Sequence, residues 1–272
     1  MLNKISKMFA SRPKAPLPAV PDGTRYYVIG DIHGRLDLYE ALIEAIEEDD
    51  AASGAAETQI VLLGDLVDRG PDSAGVVKRT RKWGKKRSVR VLAGNHEDMF
   101  LQSFERESVL RHFLKHGGRE TILSYGLTKK EFNSLDVPDI FDRLPDLVPQ
   151  KDRDFIAGFE QMIVAGDYVF VHAGVDPRRP LEKQKRDDML WIRERFLAHE
   201  GPHEKVVVHG HTIFEDVEDN GHRIGIDTGA FRSDVLTALV LEGDGRRYLQ
   251  TRLKKGRIRV DGVAQQAAMA SA

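Results

Sequence analysis

Residues 25–34 read Arg-Tyr-Tyr-Val-Ile-Gly-Asp-Ile-His-Gly, an order that predicts a buried strand ending in a polar turn. Arg25 to Ile29 is aromatic and β-branched and is bounded by Gly23 and Gly30, which are strand features. The pattern repeats twice. Thr58 to Leu63 is a second apolar run stopped by Gly64, and Ser88 to Leu92 is a third. Between them, Leu36 to Glu47 carries apolar residues at 38, 42, 43 and 46, a helical spacing, and Ala74 to Trp83 also reads as a helix. Strand, helix, strand, helix, strand with short connections implies a parallel sheet with crossover helices.

Further along, 97–160 is helical in pattern and broken at Gly117-Gly118, Gly126 and Pro138, as a helical insertion would be. Strands return at 161–165, 168–172, 205–208, 222–227 and 235–241. Glu242 to Gly245 then turns into Tyr248 to Leu253, a hairpin. Lys254 to Arg259 reads as a charged strand edge. The class is α/β, partly parallel with an antiparallel C-terminal portion. Four of the eleven prolines crowd residues 1–23, which read as a flexible N-terminal arm, either docking or disordered. The folded domain is expected over 24–262, with 263–272 a disordered tail.

A chain of 272 residues buries roughly 75% of its unfolded surface and needs no staple for stability. The net charge of −2 argues against a nucleic-acid partner, whose binding domain would be basic. The basic run Lys78 to Arg87 reads as the solvated face of a helix. No apolar run suits a secretory signal or a membrane span, so a cytoplasmic location without a membrane partner is expected. With no cysteine, any metal must sit on His, Asp, Glu, Asn or water.

Each strand is followed by a polar cluster. These are Gly30-Asp31-Ile32-His33-Gly34, Gly64-Asp65-Leu66-Val67-Asp68-Arg69-Gly70, Gly94-Asn95-His96-Glu97, Val171-His172-Ala173-Gly174 and Val208-His209-Gly210-His211. In an open parallel sheet the carboxyl ends of strands share one edge, where ligands bind, so the five clusters converge. Carboxylates and an Asn carbonyl mixed with imidazoles suit Mn, Fe or Zn. A shared carboxylate such as Asp65 can hold two ions ~3.5–4 Å apart and so generate a nucleophilic water.

The order GDIHG, GDLVDRG, GNHE, HAG, GH over roughly residues 25–242 resembles the calcineurin-like metallophosphatases, and within them the phosphoprotein phosphatases. Residues 189–195 (MLWIRER), 117–119 (GGR) and 226–230 (IDTGA) are similar to the bacterial and bacteriophage lambda type serine/threonine enzymes. The resemblance implies a two-sheet β-sandwich flanked by helices. It implies two divalent ions, Mn first, with Fe or Zn as alternatives. Asp31, His33 and Asp65 would hold one ion. Asp65 would bridge to the other, completed by Asn95, His172 and His211. His96 would be the general acid, Asp68 its partner, and Arg69 a phosphate clamp. Arg193 falls where the lambda type enzymes carry a second phosphate-binding arginine, although Arg195 is a near neighbour. His209 is left as a supporting or structural histidine.

The resemblance is incomplete. The eukaryotic SAPNY-type segment is absent, with Ile226 to Ala230 in its place. Nucleases and phosphodiesterases of the wider superfamily carry GHxH, and here Ile213 stands at the last position. Symmetrical diadenosine tetraphosphate hydrolases, the nearest competitor, typically have Ala in place of Asp68 and GNHD in place of GNHE. On these grounds the expected activity is hydrolysis of phosphoserine or phosphothreonine on a phosphoprotein or phosphopeptide substrate. The alternative is diadenosine tetraphosphate hydrolysis on the same dimetal site. A phosphopeptide-binding module without turnover is the rival from another class, and the intact His96-Asp68 pair argues against it.

Overall fold

Side chains alternate across a strand, and here both alternating sets are apolar. In the computed structural model, which describes residues 17–263, the strands are β1 (Thr24–Ile29), β2 (Glu57–Leu62), β3 (Val89–Val91), β4 (Met162–Ala165), β5 (Tyr168–Val171), β6 (Val206–His209), β7 (Glu218–Asp219), β8 (Arg223–Gly225), β9 (Val235–Glu242), β10 (Gly245–Lys254) and β11 (Arg257–Val263). One sheet runs β11-β10-β9-β1-β2-β3, and the other β4-β5-β6-β8-β7. The triplet β1-β2-β3 is parallel, with Tyr27 opposite Ile60. β9 and β10 extend the sheet antiparallel.

Tyr27, Ile29, Ile60, Leu62, Ala238 and Val240 face the helices, while Tyr26, Val28, Val61, Leu63, Leu239 and Leu241 face the second sheet. The second sheet answers with Ile163, Tyr168, Phe170, Val206, Val208 and Ile224. Two inner faces interdigitating in this way make a β-sandwich. The outer face of the second sheet, through Val169, Val171 and Val207, is covered by Met189, Ile192 and Phe196.

The helices are α1 (Leu36–Ala52), α2 (Ser73–Trp83), α3 (Asn95–Gln102), α4 (Glu107–Phe113), α5 (Arg119–Ser124), α6 (Lys129–Ser134), α7 (Val137–Leu147), α8 (Gln150–Ala157), α9 (Arg186–Trp191), α10 (Glu194–Leu197) and α11 (Ala230–Ser233). No helix among the described residues is long and apolar enough to cross a membrane. The insertion is therefore several short helices. Gly117, at φ +108°, breaks it as expected. Pro138 instead lies in the first turn of α7, where a missing N–H costs nothing.

One boundary differs from the expectation. Residues 18–23 belong to the folded body, not to an arm. Val20 is buried and donates its N–H to Gly243 O, while Asp167 donates to Ala19 O. Tyr168 donates its hydroxyl to Pro18 O. The rest of the expected arm, 1–16, and the tail 264–272 lie outside the described residues.

Candidate active site

All five clusters meet, but at one end of the sandwich and not along a single sheet edge: three follow strands of the first sheet and two follow strands of the second. Asp31 and His33 follow β1, Asp65 to Arg69 follow β2, and Asn95 and His96 open α3. His172 follows β5 and His211 follows β6. His33, Asp65, Asp68, Arg69 and His211 all take positive φ. Strain of this kind costs ~1–3 kcal/mol per residue and gathers at functional sites.

Asp65 is the hub. Its Oδ2 lies 3.5 Å from His33 Nε2, and its Oδ1 lies 3.5 Å from His172 Nε2. Burial opposes its ionisation, but His172, His96, His33 and His211 outweigh burial and hold the carboxyl well below its ordinary range. Gly94 permits this approach, since a Cβ there would stand 2.1 Å from Asp65 Oδ1. A Cβ on Gly210 would likewise stand 2.1 Å from Asp31 Oδ1.

The donor set fits metal ions. Burial pushes His33, His172 and His211 down, so the rings are neutral. His33 donates its Nδ1 proton to Val67 O at 2.7 Å, and His172 donates its own to Leu63 O at 2.8 Å. Each is thereby left with an Nε2 lone pair aimed at the site, an arrangement typical of ligating histidines. His172 Nε2 and His211 Nδ1 lie 3.0 and 2.8 Å from Asn95 Oδ1. A His172 lone pair facing a carbonyl oxygen is what a cation resolves. Asp31 Oδ1 and His211 Nε2 are buried without a hydrogen-bond partner. His33, Asp65 and His96 form one group of converging donor atoms, and Asp65, His172 and His211 form another. The two groups share Asp65.

His96 Nδ1 is 2.6 Å from Asp68 Oδ2. Burial disfavours its charged form, but Asp65 and Asp68 raise its pKa above the ordinary value. Arg69 donates Nη1 to His33 Nε2 at 2.6 Å, places Nη2 2.8 Å from His96 Nε2, and stacks over Phe231. An ion held by His33 would compete with Arg69 for this lone pair.

Arg193 and Arg195 are now separable. Arg195 is held by Asp188 at 2.5 Å and Asp176 at 3.5 Å. Arg193 has no ion-pair partner among the described residues, and its charge bears on His172 and His211. Trp191, 43% exposed, stands edge-on to His211. His209 lies outside the donor groups, packed between Phe196 and Phe214, and burial lowers its pKa to about 3.

Sequence reasoning missed several residues. In the sequence, Glu97 is legible only as a subfamily mark. Its carboxylate accepts the N–H groups of Asp65, Leu66, Val67 and Gly94 and so shapes the turn that presents Asp65. Thr121 donates its hydroxyl to Asp68 Oδ1 at 2.6 Å. Asp227 is buried beside Asp31. The IDTGA stretch contains Asp227, but nothing in that stretch marks which acid turns inward.

Two sheets, a shared carboxylate and two flanking donor groups describe a recognised architecture, and the family model for calcineurin-like phosphoesterases matches residues 24–233. The chain belongs to the calcineurin-like phosphoesterases. Family members use a dinuclear metal site, and this chain is accordingly a metal-dependent phosphoesterase. It is 27% identical over 232 residues to the asymmetrical bis(5'-nucleosyl)-tetraphosphatase PrpE of Oceanobacillus iheyensis, covering 78% of this chain and 86% of that one. It is 29% identical over 189 residues to a symmetrical bis(5'-nucleosyl)-tetraphosphatase of Acidovorax, covering 66% of this chain and 50% of that one. The fold is also that of a cold-active protein-tyrosine phosphatase from a psychrophilic Shewanella species. There the TM-score is 0.57 at 15% identity, covering 92% of this chain and 88% of that one.

Proposed function

We propose that this phosphoesterase hydrolyses bis(5'-nucleosyl) tetraphosphates. The observation that carries this reading is the likeness to two bacterial tetraphosphatases, in one case across most of both chains. Arg69, which lies against His33 and His96, and Arg193, whose charge bears on His172 and His211, are the cations offered to the phosphates.

This reverses the order of preference that the motifs alone suggested. Asp68 and Glu97 had favoured a protein phosphatase. In the structure Glu97 clamps backbone and Asp68 braces His96, and neither role excludes a nucleotide.

In this proposal Asp31, His33 and Asp65 hold one ion, while Asp65, Asn95, His172 and His211 hold the other. Such a pair polarises a phosphoryl group and acidifies a water. Arg69 and Arg193 orient the phosphates through planar, charge-assisted hydrogen bonds. His96, steadied at Nδ1 by Asp68, delivers a proton from Nε2 to the leaving oxygen.

A second reading, hydrolysis of phosphoserine or phosphothreonine, is favoured by the His96–Asp68 pair. A serine alkoxide must be protonated as it leaves, whereas a nucleotide phosphate leaves readily without that help. Initial rates on diadenosine tetraphosphate and on a phosphoserine peptide, with Mn²⁺ and with chelator, decide between the readings. Faster, chelator-sensitive turnover of the tetraphosphate is expected. Faster phosphate release from the peptide would overturn the nucleotide reading in favour of the second.

A further inference from the structure

Asp227 is 1% exposed and lies in the corner where the end of β8 meets the end of β1. The two turns are pressed together. A Cβ on Gly30 would stand 2.5 Å from Ile226 O, and Phe214 donates its N–H to Asp227 O at 3.0 Å. Ile213, the residue before Phe214, offers no ligand atom to this corner.

The Asp227 carboxylate is organised in the same way as that of Asp31. One oxygen of Asp227 accepts the Gly229 N–H at 2.9 Å, and one oxygen of Asp31 accepts the His211 N–H at 3.0 Å. The remaining oxygen of each, Oδ2 of Asp227 and Oδ1 of Asp31, is buried with no donor. The two side chains interact directly, and Asp65 adds a third negative group. Buried carboxylate oxygens without donors are costly unless a cation or proton meets them. The nearby guanidinium of Arg69 is already directed at His33 and His96. A backbone N–H that fixes one carboxylate oxygen and leaves the other free also orients metal ligands generally.

We propose that Asp227 is an additional ligand of the ion held by Asp31, His33 and Asp65. This rests on the dimetal reading of the site. It makes the two positions chemically unequal. One is rich in carboxylate oxygen (Asp31, Asp65, Asp227), and the other is richer in imidazole (His172, His211), so the first favours the harder ion.

The test is Mn²⁺ binding by calorimetry and elemental analysis on the full chain and on Asp227→Asn, with melting curves in the presence and absence of Mn²⁺. Wild type should take up two ions, and the variant should hold one of them at least ~10-fold more weakly, the lower end of what losing even an indirect partner costs. The metal-free variant should melt no lower than wild type, because a carboxylate repulsion has gone, while its gain on adding Mn²⁺ is smaller. Asp227→Glu, which keeps the charge but displaces the oxygen, should also weaken one ion and serves if the amide variant folds poorly. Two ions bound with wild-type affinity in the variants would overturn the assignment. A wild type that takes up only one ion would instead overturn the dimetal reading, and the inference with it.

Discussion

Asp68 and His96 form a buried pair, Oδ2 to Nδ1 at 2.6 Å, in which Thr121 holds the other Asp68 oxygen at 2.6 Å. The ring is therefore fixed, with Nε2 on the side facing Asp65. If His96 is the general acid, His96→Asn should retain metal and lose turnover by about 10²–10⁴-fold, the usual worth of such catalysis. The pH profile carries the sign. The acid acts when protonated, and Asp65 and Asp68 raise its pKa above 6.5 against the effect of burial. With a phosphoserine peptide, where the leaving group needs a proton, the rate should fall as pH rises through that pKa. The variant should lose this limb, and near-normal activity in it would sink the assignment.

The two arginines near α10 make a controlled comparison. Arg193→Ala should lower kcat/KM by roughly 10–100-fold, equivalent to a charge-assisted hydrogen bond of about 1.5–3 kcal/mol. Arg195, half-exposed and tied to Asp188 and to the buried Asp176, which keeps Arg178 and Arg179, should leave kcat/KM nearly unchanged when replaced by Ala and cost at most ~1 kcal/mol of stability. Steady-state kinetics on the two variants, in parallel with urea unfolding, would reveal a reversal.

Glu97→Gln tests the clamp on the Asp65 turn. An amide presents one oxygen in place of two and turns an N–H₂ group toward backbone donors. We expect a loss of about 2–3 kcal/mol in urea unfolding, from at least one buried N–H left without an acceptor, together with weaker metal binding. Unchanged stability would mean that the turn holds itself.

Much of this was legible in the sequence because strand and ligand are adjacent in it. Val28-Ile29 runs into Asp31, and Leu62-Leu63 runs into Asp65, so the apolar run predicts both the strand and the edge on which the acid lies. The residues that could not be read reach the site over long separations. Thr121 is 53 positions from Asp68, and Asp227 meets Asp31 only because β8 and β1 end in the same corner. Glu97 was visible as a residue, but its role depends on which N–H groups the Asp65 turn leaves pointing at it. The proline-rich start misled for a local reason. Pro18 and Pro21 lack donors, but Ala19 and Val20 between them supply the pairing with Asp167 and Gly243.

The central claim is that Asp65 is shared between two metal ions, and metal content tests it most directly. Elemental analysis after gel filtration from Mn²⁺ should find two ions per wild-type chain. Asp65→Asn, which removes a ligand common to both positions, should retain at most one, and its phosphoesterase activity should fall with the loss. An Asp65→Asn protein that still carries two ions would contradict the bridge.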